Sequence, residues 1–256
     1  MYDLAVRDQA LRLLASGLSI SEASRQTGPT PATIRRWRDQ PDHLSPMTGT
    51  CPRCASRPRS PAPAESYAYL LGLYLGDGCI CWVGDRAKQV WALRIACADD
   101  WPGLVQECVE ALQAVRPTNK VRVIQRQGYK DVNSYSKHWR HLFPQHGPGK
   151  KHDRAIQLEP WQREIVSAHP GRLVRGLMHS DGYRGLNRVR HVLPSGVRWY
   201  EYPRYLFKNE SSDILALCGQ ALDLLGVAWR FNKRNELSVA RREAVELLDR
   251  HVGPKY

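Results

Sequence analysis

The 256-residue chain carries 38 Lys and Arg against 25 Asp and Glu, a net charge of +13, with 42% hydrophobic residues and 8 Trp, 11 Tyr and 3 Phe. That surplus points to a polyanionic partner, nucleic acid first, while the apolar and aromatic content excludes a wholly disordered basic tail. No run approaches the roughly 20 apolar residues of a membrane span, no charged-then-apolar leader opens the chain, and seven irregularly spaced cysteines argue against a disulfide framework, so the expectation is a soluble cytoplasmic protein with no membrane partner.

Residues 1–40 read as three short helices. Leu4, Ala5, Ala10, Leu11, Leu13 and Leu14 make the first amphipathic, and Ser16-Gly17 ends it. Ser21 is expected to cap the second, Thr27-Gly28 turns the chain, and Thr30 caps a third that opens on Pro31 and runs to Arg38. A small residue at Ser24, a turn at Gly28 and an aliphatic plug at Ile34 have helix-turn-helix spacing, with Thr30, Thr33, Arg35, Arg36 and Arg38 exposed for phosphate and base-edge contacts. The segment resembles the helix-turn-helix modules of recombinases and transposases; a plain small helical bundle is the alternative. Residues 41–65 then shift to Pro, Ser, Arg and Ala, a linker composition. Within it, Cys51 and Cys54 are spaced as half a zinc knuckle with His43 as a candidate third ligand, although no second Cys pair of that spacing follows.

The strongest signal is a repeat. Tyr67 to Gly78 is an apolar helix with Gly72 and Gly76 four apart, ending on Asp77-Gly78; Leu173 to Gly182 repeats it with Gly176 and Ser180, ending on Asp181-Gly182. Small residues along one helical face let two helices pack backbone to backbone, so the two aspartates are expected to meet at the ends of crossed helices. Alone, an Asp-Gly after an apolar helix is a cap and a turn. Here the following sequence repeats as well. Val105, Cys108, Ala111 and Leu112 match Leu215, Cys218, Ala221 and Leu222 at an offset of 110, and Ser134 and Lys137 match Ser238 and Arg241 at 104, which indicates an internal duplication.

Each copy reads as helix, two strands, helix, two strands, helix. In the first, strands at 79–83 and 90–96 precede a helix at 101–115 and a hairpin at 121–124 and 132–135. In the second, strands at 183–192 and 199–207 flank Pro194-Ser195-Gly196, a helix covers 213–225, a hairpin 229–231 and 237–239, and a last helix 242–249. The fold class expected is α+β: an all-α N-terminal unit, then a duplicated αββαββα body (66–160 and 161–256) with two four-stranded antiparallel sheets, helices on one face of each and a wet, charged face on the other.

These motifs, their separation and the matched strand order resemble the single-chain, two-motif LAGLIDADG homing endonucleases over about 190 residues. The resemblance implies a monomer with internal pseudo-two-fold symmetry, saddle-shaped sheets lying in the major groove of double-stranded DNA, and divalent metal, Mg²⁺ or Mn²⁺, held at the scissile phosphates by Asp77 and Asp181, with the backbone carbonyls of Gly76 and Ser180 as further ligands. Lys137 and Arg241 match the basic residue that the family places in each catalytic pocket. The sequence departs from the motif at its sixth position, where Leu75 and His179 stand in place of Asp.

The chemistry agrees: paired carboxylates hold hard cations with open water positions, and cations beside them stabilise developing charge. Candidate base readers on the strands are Arg94, Arg122, Gln125, Arg126, Gln127, Arg184, Asn187, Arg188, Arg190, Arg198, Arg230, Lys233 and Arg234; a solvated strand face is the bland reading for each one. The basic segments Gly147 to Lys151 and Gly253 to Lys255 read equally as phosphate contacts or simple loops, and His138, His141, His146 and His152 as surface or phosphate-adjacent groups. The function expected is a site-specific, metal-dependent double-stranded DNA endonuclease in the bacterial nucleoid. A catalytically silent DNA-binding regulator on the same fold is the alternative, and an RNA maturase a third. Residues 1–60 hold nine Arg and five acids, a net +4, leaving +9 for the remainder, so two separate basic surfaces are implied.

Overall fold

The computed structural model describes residues 4–39, 63–84, 90–194 and 196–255. His43, Cys51, Cys54 and most of the Pro-rich linker lie outside the described residues.

Three N-terminal helices, α1 (Leu4–Ala15), α2 (Ile20–Thr27) and α3 (Pro31–Asp39), close over Ala10, Ala23 and Ile34, all fully buried. The cap of α2 is Ser19 rather than Ser21: its hydroxyl accepts from the Glu22 amide while the Glu22 carboxylate accepts from the Ser19 amide at 2.9 Å. That capping box needs an acid three residues on, which Ser19 has and Ser21 lacks. The small residue between the helices is Ala23; Ser24 instead donates to the Pro29 carbonyl at 2.7 Å and so braces the turn, where Gly28 sits at φ 93.

The body is a duplicated unit. Its first copy runs α4 (Ala64–Leu75), β1 (Gly78–Trp82), β2 (Trp91–Ala98), α5 (Pro102–Val115), β3 (Val121–Gln125), β4 (Tyr129–Ser136) and the single turn α6 (Trp139–Leu142). A 3-10 turn (Lys151–Asp153) and α7 (Pro160–Ala168) connect to the second copy: α8 (Pro170–Asp181), β5 (Gly182–Leu193), β6 (Gly196–Lys208), α9 (Ser212–Leu224), β7 (Arg230–Lys233), β8 (Glu236–Val239) and α10 (Arg242–Val252). The sheets are antiparallel with matching orders, β1-β2-β4-β3 and β5-β6-β8-β7. One hydrophobic core joins both copies.

Helix α7 is an addition to the expected order. Glu159 caps it, Pro160 opens it, and its fully buried Gln162 donates to Tyr67 Oη at 2.7 Å, holding α7 against α4. Of the repeat signals, the match of Cys108 to Cys218 is real: both thiols are completely buried at equivalent helix positions. The match of Ser134 to Ser238 is out of phase. Gly78 and Val132 both lie opposite Ile95, whereas Gly182 and Leu237 both lie opposite Phe207, so Val132 corresponds to Leu237 at an offset of 105. One residue of slip reverses the face of every side chain on a strand, and Lys137 and Arg241 therefore do not occupy equivalent places.

Candidate active site

Every residue of α4 from Tyr67 to Leu75 is buried, the composition expected of a helix surrounded by protein. Its tightest neighbour is α8. A methyl group at Gly72 would lie 2.5 Å from the Leu173 carbonyl oxygen, 2.7 Å from the Leu177 amide and 2.8 Å from Gly176 Cα, and one at Gly176 would strike the Tyr69 carbonyl. The two helices thus touch backbone to backbone, and their C-terminal ends emerge together. Gly76 abuts Ser180, and its Cβ position is 3.1 Å from Asp181 Oδ2, so the turn carrying Asp77 and the last residue of α8 form one locus.

The carboxylates are not equivalent. Crowding by protein strips water from Asp77, although the residue keeps exposed surface, and the neighbouring Asp181 charge adds to this; together they lift its pKa to about 6. Burial raises Asp181 too, but it accepts a 2.8 Å hydrogen bond from Asn209 Nδ2 that favours its ionised form. The repulsion therefore falls on Asp77.

Two lysines answer these acids. Lys151 Nζ donates to the carbonyls of Leu75 (2.9 Å) and Gly76 (2.5 Å); burial lowers its pKa to about 8, against the pull of Asp181 and Asp77. Lys255 Nζ donates to the Gly182 carbonyl at 2.8 Å, and its pKa is also lowered by burial while both aspartates oppose the shift. Each lysine follows its own aspartate by 74 residues and stands two positions after a glycine, Gly149 and Gly253. This spacing is the visible signal of the true repeat. Lys137, just past β4, and Arg241, at the start of α10, are exposed and do not line the cavity in which Lys151, Asp181 and Asn209 sit. The Gly76 carbonyl is taken by Lys151, and the Ser180 hydroxyl turns back onto the carbonyls of Gly176 and Leu177.

His179 is structural. It lies between Tyr69 Oη (3.0 Å) and the Val252 carbonyl (3.2 Å), and burial with the nearby Arg175 charge depresses its pKa to about 4, so it stays neutral. Arg175 pairs with Glu107 at 2.6 Å, tying α8 to α5.

Strand register sorts the proposed base readers. On the first sheet the open face carries a cross-strand row of Cys79, Arg94, Asn133 and Arg122, with Arg122 over the Tyr135 ring. Gln125 is committed to Asp99, and Arg126 lies 3.8 Å from Asp131. Gln127 is exposed in the β3–β4 turn. On the second sheet Tyr205 and Phe207 face the core, so Arg184, Arg188 and Arg190, opposite Tyr205, Glu201 and Trp199, share the helix side. Arg184 is held there by Asp249 through two 2.7 Å bonds. Asn187, Arg198 and Arg230 do point to the open face, joined by Tyr200, Tyr202 and Arg204, which the sequence reading missed. Lys233 and Arg234 are exposed around the β7–β8 turn. On α3, Thr30, Arg35, Arg36 and Arg38 are exposed and Thr33 is half-buried.

No family model and no curated protein matches the sequence. Among solved structures, I-DmoI in complex with DNA and Mn superposes on 75% of this chain and 99% of its own with a TM-score of 0.50 at 14% identity. The fold is that of the LAGLIDADG homing endonucleases. A further LAGLIDADG structure, the meganuclease I-AabMI bound to uncleaved DNA, covers 72% of this chain and 83% of its own at 11% identity and a TM-score of 0.46. In this fold α4 and α8 are the paired, glycine-packed helices that join the two copies. Among the described residues no cluster of three or more His, Cys, Asp or Glu forms a metal cage. Two carboxylates suit Mg²⁺ nonetheless, because that ion is commonly held by one or two carboxylates with water and substrate phosphate completing its shell.

Proposed function

We propose that the protein is a metal-dependent, site-specific endonuclease of double-stranded DNA, working as a monomer with pseudo-two-fold symmetry. The observation that carries this reading is the convergence of Asp77 and Asp181 at the ends of two glycine-packed helices, faced by Lys151 and Lys255. Crowding two acids side by side costs stability, and a purely architectural helix crossing has no use for them. Bound divalent metal, Mg²⁺ or Mn²⁺, would neutralise the scissile phosphate and activate water. Asp77 and Asp181 would hold it, Asn209 keeping Asp181 ionised and aimed. Lys151 and Lys255 would stabilise charge developing on the phosphate oxygens. The open sheet faces would lie in the major groove, with Arg94, Arg122, Arg204 and Arg230 among the groups addressing DNA, and the N-terminal helices would add a helix-turn-helix contact through α3.

Selecting the preferred duplex from a random library and incubating it with Mg²⁺ or Mn²⁺ tests this. Metal-dependent cutting of both strands is the expected result. Tight, salt-sensitive binding without cutting would move the assignment to a DNA-binding regulator.

A further inference from the structure

The two copies share strand order but not reach. Among the described residues the first hairpin has six ladder positions, five in the β1–β2 register and the Val83–Val90 hydrogen bond, and six residues of sequence join Val83 to Val90. The β5–β6 ladder has twelve positions, from Gly182–Phe207 to Leu193–Gly196. Of these, β8 covers only Tyr205 to Lys208, so Leu186 to Pro203 form a two-stranded ribbon whose ladder partners are one another. An isolated two-stranded ribbon in water is marginal, and this one leaves large apolar groups uncovered on the face opposite Tyr200 and Tyr202: Leu186 is 66% exposed, Val192 72% and Trp199 52%. Such a surface calls for a partner.

The partner's chemistry can be read from the ribbon. Arg188, Arg190 and Arg198 against Glu201 give the segment a net +2. Its open face carries Tyr200 and Tyr202 with rings parallel within 9°, and His191 edge-on to Tyr200. Its first strand, β5, starts at the residue after Asp181, so the ribbon is continuous with the active site. A two-stranded ribbon is of a size to enter the DNA major groove, where flat and apolar side chains meet thymine methyls and Arg and Asn meet base edges. Among the described residues the second ladder is six positions longer, which at about 3.4 Å each is about 20 Å, or about six base pairs at about 3.4 Å per step.

We propose that the Leu186–Pro203 ribbon is a one-sided specificity arm that carries sequence readout about six base pairs farther from the cleavage centre on the Asp181 side than on the Asp77 side. This rests on the endonuclease reading above. The test is to select duplexes from a random library with the full-length protein in Ca²⁺ and to compare base preference, position by position, for wild type, a variant with His191–Arg198 replaced by a two-residue Asn-Gly turn between the paired Arg190 and Trp199, and Tyr200→Ala/Tyr202→Ala, whose changes lie at the surface. The wild-type profile should extend farther on one flank, and both variants should lose at least tenfold preference at those outer positions alone. Equal flanks, or unchanged outer preference in the point variant, would overturn the arm while the endonuclease reading stands. An unchanged profile accompanied by loss of self-association on sedimentation would assign the ribbon to a second copy of the chain and overturn it too. If no duplex is enriched at all, both the arm and the endonuclease reading fall.

Discussion

Replacing Gly72 by Ala adds one methyl group where α4 and α8 cross. Its nearest neighbours would be backbone atoms at 2.5, 2.7 and 2.8 Å, where ordinary contact is 3.4 Å or more. None belongs to a flexible side-chain end, so relief requires the helices to part by about 1 Å. Overpacking of this kind costs about 1–3 kcal/mol, offset by the roughly 1 kcal/mol by which Ala favours a helix over Gly. A net loss of up to about 2 kcal/mol corresponds to a melting point lower by up to about 8 °C for a body of this size. The effect on cutting should be larger than on folding, because Asp77 follows five residues after Gly72 and a misplacement of about 1 Å at an active site costs on the order of 100-fold. Thermal unfolding and single-turnover cleavage of the selected duplex measure the two effects on one preparation. A melting point equal to or above wild type with unchanged cleavage would refute the backbone-to-backbone crossing as the device that sets the aspartates.

Lys151→Met should lower cleavage and move the acid limb of the pH–rate profile above 6, because Lys151 lowers the Asp77 pKa, and Lys255→Met should act in the same direction. Lys137→Met and Arg241→Met should leave that limb in place. Because the folded-state pKa of Asp77 is raised to about 6, the native state binds the extra proton, and metal-free stability should fall as pH rises from about 4 to about 6; Asp77→Asn in a chelator should therefore melt above wild type at pH 7 and level with it near pH 3.5. Arg184→Gln should cost about 1 kcal/mol of stability through loss of its pair with Asp249, visible as a lower melting point, with base preference unchanged.

The sequence carried the architecture because the features that set it are local and periodic: small residues four apart on two apolar helices, Asp-Gly ends, and the buried Cys108 and Cys218 positions. The aspartates came with the helices that bear them. The lysines did not, because Lys151 and Lys255 reach the site from loops by tertiary approach, and their common 74-residue spacing from the aspartates gains its meaning only once that approach is seen. Counting from Ser134 and Ser238 led instead to Lys137 and Arg241, through a one-residue slip that only the ladder opposite Ile95 and Phe207 reveals. Strand faces were hidden for the same reason. Arg184, Arg188 and Arg190 share one parity, and which side that parity meets depends on Tyr205 and Phe207 across the ladder. Helix α7 was signalled by Glu159, Pro160 and the helical spacing of Trp161, Ile165 and Val166, in a segment of nine residues between the two copies.

In the proposed function, the two aspartates turn a DNA-holding scaffold into a nuclease. Binding and cleavage of the selected duplex by wild type and by Asp77→Asn/Asp181→Asn, each in Mg²⁺ and in a chelator, test it most directly. Wild type should cut both strands only with metal, and the double variant should bind with at least wild-type affinity and cut neither strand. Cleavage that survives in the double variant, or proceeds in the chelator, would contradict the account.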